Sequence, residues 1–271
     1  MLDNDKHHRC MLLGCIGSDS YGNRIKDALD RAGVKPLLEI TEEHKSSRCG
    51  VGIHLKERCL LPDIRASNKL SMEYVQKNLD AISEASILLI EGYFVIEKYD
   101  IVKYLASYFA GLNKKIAFTL SATFMVDNFP DKMLEISNQS HLVFCNDDEA
   151  EAFSKINTKN WEEVSSTIHQ MLAPLDRILI ITCGSKPVAI TKYDYKENKL
   201  DFILNSTVFP VDGSEIVDTN GCGDSFVGGF LSQYIRGASL EKCARAGNWA
   251  SSVIIRNVGC TYPNNLQAKK I

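Results

Sequence analysis

The chain has 271 residues, 45% hydrophobic and 24% charged, with a formal net charge of −3. Those values suit a globular protein with a substantial core and give none of the basic footprint of a nucleic-acid or anionic-membrane binder. No apolar run has the length of a membrane span, and the first ten residues show no basic-then-apolar leader. Nine cysteines, an odd number without a C-x-x-C pair, point to reduced thiols in a cytosolic or nuclear compartment. The histidines are dispersed, and His7-His8 reads as a solvated terminus.

In chain order, residues 11–16 form a short apolar run ending at Gly17, which predicts a strand. Residues 23–32 predict a helix with apolar Ile25, Ala28 and Leu29, stopped by Gly33. Residues 50–55 and 58–61 read as two short strands, and a helix begins at Ser71. Residues 87–92, 116–120, 142–146 and 177–182 are apolar strand candidates. Between them lie predicted helices at 97–110, from Asp147 onward, and at 161–172. Continuous apolar strands alternating with amphipathic helices imply a mostly parallel sheet covered on both faces. No linker or internal repeat divides the chain, so a single domain over 1–271 is expected. Ligands of such sheets bind beyond the carboxyl ends of the strands.

One stretch concentrates the chemistry. In Asp218-Thr-Asn-Gly221-Cys-Gly223-Asp224, two glycines flank Cys222 just ahead of a helical pattern. Phe226, Val227, Phe230, Leu231, Tyr234 and Ile235 form one face of that helix. The first N–H groups of a helix lack internal partners and carry partial positive charge. Glycines let a ligand approach the backbone, so the turn suits an anion such as phosphate. Asp224 would then be placed to take a proton from a hydroxyl facing the phosphate. The same residues also fit a glycine loop with an ordinary capping Asp.

Two further strand ends matter. Asn146-Asp-Asp-Glu149 follows one strand and opens a helix, where acids suit a hard cation held through waters and phosphates or simply cap the helix and offset its dipole. Asp147 and Asp148 read as solvated. Thr182-Cys-Gly184 ends another strand in a turn. A last helix runs from Ser239 toward Arg256, burying Leu240, Cys243, Ala244, Gly247, Ala250 and Ile254.

The full string from Asp218 to Leu231 resembles the C-terminal signature of the ribokinase-like (PfkB) carbohydrate and nucleoside kinases. Its form D-T-N-G-x-G-D-x-F-V-G-G-F-L is similar to that of the adenosine kinases within the family. Gly14-Cys-Ile-Gly17-Ser-Asp19-Ser-Tyr-Gly22 and the ending 254–263 carry the same resemblance. It implies an α/β fold, a three-layer αβα sandwich with a mostly parallel central sheet and a partial small lid at about 48–63.

For the site, the resemblance implies Asp224 as general base and Gly221, Cys222 and Gly223 as the anion hole. It places Arg58, Asn146, Glu149, Thr182, Gly184 and Asn248 on ATP, and Leu60 and Phe94 on the nucleoside. Asn146 and Glu149 would organise Mg2+ without ligating it directly, and some relatives hold a monovalent cation near the position of Asp218. The implied reaction moves the γ-phosphoryl group of ATP to the 5′-hydroxyl of adenosine, giving AMP. The expected protein is a cytoplasmic and nuclear monomer whose partners are adenosine and ATP, with no nucleic acid and no membrane. A sugar kinase of the same fold, or a remnant that only binds nucleotide, remain the alternatives. The chain departs from the family in lacking an N-terminal part with a ribose-binding Asp and a G-G-x-x-x-N segment, so weak ATP binding and little AMP formation are expected of it alone. Cys222 stands where Ala is usual, and Thr119-Leu-Ser-Ala-Thr123 replaces an N-L-S-A-P string.

Overall fold

The computed structural model describes residues 10–54, 57–205 and 208–262. The chain divides into two units, Met1–Ala85 and Ser86–Ile271. His7-His8 and Pro263 lie outside the described residues.

The first unit opens with β1 (Cys10–Gly17), α1 (Ser20–Arg31) and β2 (Val34–Thr41). The two strands pair in parallel, from Cys10 opposite Val34 to Gly17 opposite Thr41. The helix starts three residues before the predicted Asn23 because Asp19 caps it, accepting the Gly22 N–H at 2.8 Å. The Asp19 carboxylate also accepts the N–H and hydroxyl of Ser46, at 2.9 and 2.8 Å. These donors, Gly22 first, hold its pKa down at about 2. An antiparallel hairpin follows, β3 (Arg48–His54) and β4 (Glu57–Asp63), over the segment expected to form the lid. Leu55, expected to end its first strand, lies outside the described residues. The unit closes with a 3-10 turn (Ala66–Lys69), α2 (Met72–Lys77), capped by Ser71, and α3 (Leu79–Ser83).

The second unit carries β5 (Ile87–Glu91), α4 (Gly92–Glu97), α5 (Tyr99–Gly111), β6 (Lys115–Thr119), α6 (Thr123–Asn128) and α7 (Pro130–Gln139). It continues through β7 (Leu142–Asn146), α8 (Asp147–Ser154), α9 (Trp161–Met171), β8 (Arg177–Cys183), β9 (Lys186–Asp194) and β10 (Lys199–Asn205). The last helices are α10 (Cys222–Tyr234) and α11 (Leu240–Ile254). The helix predicted over 97–110 is interrupted at Lys98, whose backbone leaves the helical region (φ −139°, ψ 50°) and separates α4 from α5.

The six strands run in the order β10-β9-β8-β7-β6-β5. β5 to β8 are parallel, while β9 and β10 extend the sheet antiparallel. The register sets Glu91 beside Thr119 and Asn146 beside Thr182. The carboxyl ends of the parallel strands therefore share one edge of the sheet.

The apolar face of α10 packs Phe226, Val227 and Phe230 onto Ala117, Leu142, Phe144, Ile178 and Ile180 of the sheet. Phe230 meets Phe144 edge-on, with centroids 5.3 Å apart. Each such side chain contributes roughly 1.5–3 kcal/mol by burial. α10 and α11 cross at backbone contact. A Cβ on Gly229 would lie 2.6 Å from the Ala246 carbonyl oxygen, and one on Gly247 would lie 2.7 Å from the Phe226 ring. Among the described residues, no helix is long and apolar enough to cross a membrane. All nine cysteines are thiols.

Candidate active site

The start of α10 is built by its flanking loops. Gly221, the N-cap, adopts a left-handed conformation (φ 76°, ψ 3°) that L side chains rarely take. A Cβ there would also run into the Cys260 sulfur. Asp218 is 4% exposed. One of its oxygens accepts the Asn220 N–H at 2.8 Å and the other the Gly259 N–H at 2.9 Å. The carboxylate thus joins the loop entering α10 to the loop leaving α11. The Ser251 hydroxyl of α11 donates to the Cys222 carbonyl at 2.7 Å, fixing the first turn from the other side. Gly223 and Asp224 are exposed on that turn. The arrangement offers an open helix N-terminus with a carboxylate at its rim, which can hold an anion and accept a proton.

Asn146 and Glu149 form a complete capping box at the start of α8. Asn146 Oδ1 accepts the Glu149 N–H at 2.7 Å. The Glu149 carboxylate accepts from the Asn146 N–H at 3.1 Å and its Nδ2 at 2.9 Å. Burial pushes the Glu149 carboxyl up to about 6 against the lowering effect of the Asn146 N–H. Thr182 is the register partner of Asn146, and its Oγ1 donates to the Cys145 carbonyl at 3.3 Å. Gly184 turns the chain into β9 at φ 59°. Asn146, Glu149, Thr182 and Gly184 therefore gather at the carboxyl ends of β7 and β8.

At the end of β5 stands a group that the sequence reading did not single out. Glu91 is accessible yet hemmed in by its surroundings. Loss of water, together with the negative charge of Asp224, pushes its carboxyl up to about 7. No hydrogen bond to its side chain forms among the described residues. The next residue, Gly92, donates its N–H to Ser121 Oγ at 2.9 Å. Ser121 is itself in the left-handed region (φ 70°) and donates to the Thr119 carbonyl at 3.2 Å. This clasp binds the β5 exit to the β6 exit. Beyond it, Tyr93 and Phe124 are 41% and 49% exposed, with ring centroids 5.9 Å apart.

Phe94, the expected aromatic contact, is half-buried, while its neighbour Tyr93 faces outward. Asn248 sits half-buried on α11. Arg58 and Leu60 stand on β4 of the first unit, where Leu60 is 42% exposed and only the backbone of Arg58 is described. The second unit thus brings together Asp224, Glu91 and the outward aromatic pair. Glu91 had one visible signal, an acid closing an apolar strand directly before a glycine. Tyr93 lies in the Gly92-Tyr93-Phe94 segment that the resemblance pointed to through Phe94, whereas Phe124 had no signal, because exposure cannot be read from an aromatic in an apolar run.

Residues 7–267 match the pfkB family carbohydrate kinase. Adenosine kinase 1 of Arabidopsis thaliana is 33% identical over 259 residues, covering 93% of this chain and 73% of that protein. The structure of Anopheles gambiae adenosine kinase in complex with P1,P4-di(adenosine-5) tetraphosphate superposes with a TM-score of 0.83 at 26% identity, covering 94% of this chain and 76% of that one. Schistosoma mansoni adenosine kinase in complex with 2-fluoroadenosine gives 0.82 at 26% identity, with the same coverages. A match through both units, a mostly parallel sheet flanked by helices and a glycine-opened helix with an acid on its first turn agree: the chain belongs to the pfkB family of carbohydrate kinases.

Proposed function

We infer that this chain is an adenosine kinase, an ATP-dependent phosphotransferase that phosphorylates the 5′-hydroxyl of adenosine to give AMP. The observation that carries the inference is the start of α10. There the glycine-capped turn presents N–H groups and the exposed Asp224 together, on the unit that also carries the outward-facing pair Tyr93 and Phe124. An aromatic surface suits the flat face of a purine. The helix N-terminus offers Gly221, Cys222 and Gly223 to the phosphoryl group in flight. Asp224 accepts the hydroxyl proton. That the A. thaliana relative is an adenosine kinase, and that the S. mansoni one was solved with 2-fluoroadenosine, supports the choice of nucleoside over sugar.

Kinases of this family use ATP with a divalent metal such as Mg2+. Both Glu149 oxygens already accept from Asn146, so the carboxylate would hold magnesium through its water shell, which Mg2+ gives up reluctantly. Bound there, the ion supplies charge neutralisation on the phosphates. Thr182, Gly184 and Asn248 are proposed ATP contacts. Leu60 and Arg58 are assigned to the acceptor and the phosphate on the resemblance of β4, and a monovalent cation to the neighbourhood of Asp218. The family match across 7–267 supports treating 1–271 as one kinase domain; a monomer located in the cytoplasm, and also in the nucleus, is part of the same proposal. The deciding experiment is an assay of purified chain, as it stands and extended by a family-type N-terminal segment, with Mg-ATP against adenosine, other nucleosides and free sugars. AMP formation with strong preference for adenosine supports the assignment. Turnover confined to a sugar, or ATP binding without turnover on any acceptor in either form, overturns it.

A further inference from the structure

A nucleoside held on this unit has to bridge two fixed points. Its flat base belongs on the exposed Tyr93–Phe124 pair, and the hydroxyl that is phosphorylated belongs at Asp224. The sugar, with its remaining hydroxyls, occupies the stretch between them. Glu91 lies on that stretch by covalent and electrostatic constraint together. One glycine separates it from Tyr93, and its carboxylate feels the charge of Asp224 on α10. The Gly92–Ser121 clasp fixes its backbone against the β6 exit that leads to Phe124. Its side chain makes no capping bond to α4, which it precedes. A carboxylate facing another carboxylate without a local donor is costly unless a ligand supplies one. Sugar hydroxyls are such donors, and a hydrogen bond to an ionised acceptor is roughly twice as strong as a neutral one.

We propose that Glu91 is an acceptor-binding residue, its carboxylate receiving hydrogen bonds from the sugar hydroxyls of the nucleoside and so orienting the 5′-hydroxyl toward Asp224. This rests on the nucleoside reading of the site. Asp224 is the one charged group acting on Glu91 among the described residues. The ionised form of Glu91, which gains as pH rises through about 7, is the better acceptor.

The test uses the full chain as wild type and as Glu91→Gln, with Glu91→Ala as a second variant and thermal melts to verify folding. Titration calorimetry measures adenosine, 2′-deoxyadenosine, 3′-deoxyadenosine and adenine, and steady-state assays give KM for adenosine and for ATP. Wild type should bind adenosine at least tenfold more tightly than adenine. Glu91→Gln should remove most of that preference, raise KM for adenosine about tenfold or more, and leave adenine affinity and KM for ATP within twofold. Wild-type adenosine affinity should also rise between pH 6 and 8, while that of Glu91→Gln stays flat. An unchanged adenosine preference in Glu91→Gln overturns the assignment. So does an equal loss of adenine and adenosine, which would mean damage to the aromatic surface. A wild type that makes AMP while Glu91→Gln keeps its KM refutes the role of Glu91 and leaves the kinase reading standing. Glu91-dependent adenosine binding without AMP formation, in the chain as it stands and in the N-terminally extended form, supports the role and refutes the kinase reading.

Discussion

The two edges of the six-stranded sheet both carry charged residues, and they treat them in opposite ways. At the amino-terminal edge, Arg177 opens β8 at 1% exposure, and its guanidinium is divided among backbone carbonyls. It donates to Ser140 at 3.0 Å, Ala173 at 3.2 Å and Asn138 at 3.1 Å. Burial lowers its pKa to about 10. His141 beside it, held down to about 4 by burial and then by Lys115 and Arg177, has its ring Nδ1 accepting the Ile116 N–H at 3.3 Å. At the carboxyl-terminal edge, loss of water and then the negative charge of Asp224 push the Glu91 carboxyl up, without a hydrogen-bond donor to Glu91 among the described residues. A buried charge that is fully hydrogen-bonded is structural, because removing it strands its partners. Accessible like charges held together by the fold represent stability given up, and such places are where ligands act.

The contrast can be broken most sharply at Asp224. Asp224→Asn should lower turnover about a thousandfold, within the range for a positioned general base, while ATP affinity changes only a few fold. Its melting temperature should stay level or rise, since a repulsion with Glu91 is removed. Near-normal turnover would take Asp224 out of the role. Arg177→Met should do the reverse, costing about 2–4 kcal/mol by stranding the buried Ser140 carbonyl and weakening the hold on the part-buried carbonyls of Asn138 and Ala173, while leaving both KM values of the folded fraction unchanged. Chemical denaturation alongside kinetics would separate the two, and a selective loss of turnover in Arg177→Met would erase the distinction between the edges.

Smaller effects sharpen the comparison. Tyr93→Ala and Phe124→Ala each remove an exposed ring, so stability should fall by about 1 kcal/mol or less, while KM for adenosine rises severalfold and KM for ATP holds. A parallel rise in KM for ATP would remove the pair from the acceptor side. The smallest effect concerns pH. His169 is 6% exposed, contacts Thr191 Oγ1 at 3.0 Å and is lowered to about 4 by burial, with Arg177 adding to the shift. The unfolded chain takes this proton near pH 6.5 and the fold resists it, so His169 favours folding above 6.5 and the advantage fades as pH falls toward 4. His169→Gln should reduce the slope of the stability profile between those values, leaving the share that His141 contributes. A variant profile parallel to wild type would assign the slope to other groups.

Much of this fold was legible because its signals are local and redundant. The parallel strands are continuous apolar runs, and their predicted limits fall within two residues of β5 to β8. Asp218 to Leu231 named its own turn and helix. Other features depend on what is brought near from afar. The repulsion between Glu91 and Asp224 joins positions 133 residues apart, 224 minus 91. The clasp at Gly92 needs Ser121 in a left-handed conformation that no propensity favours. Asn146 and Glu149 read in the sequence either as a magnesium and phosphate element or as a helix cap, and the structure forms a complete capping box with them.

The backbone crossing of α10 and α11 has a consequence for tolerance to mutation. Gly229 and Gly247 carry no functional side chain, yet a methyl at either would push two helices apart at the point that sets how far α10 extends toward its glycine-capped end. In a saturation scan scored on activity, these two sites should stand out as intolerant even to alanine, beside permissive neighbours such as Gly228, where added bulk meets open space. A map of that kind would mark them as active-site residues by sensitivity alone. They would be there for their missing atoms, as a fulcrum that keeps Asp224 at its working height.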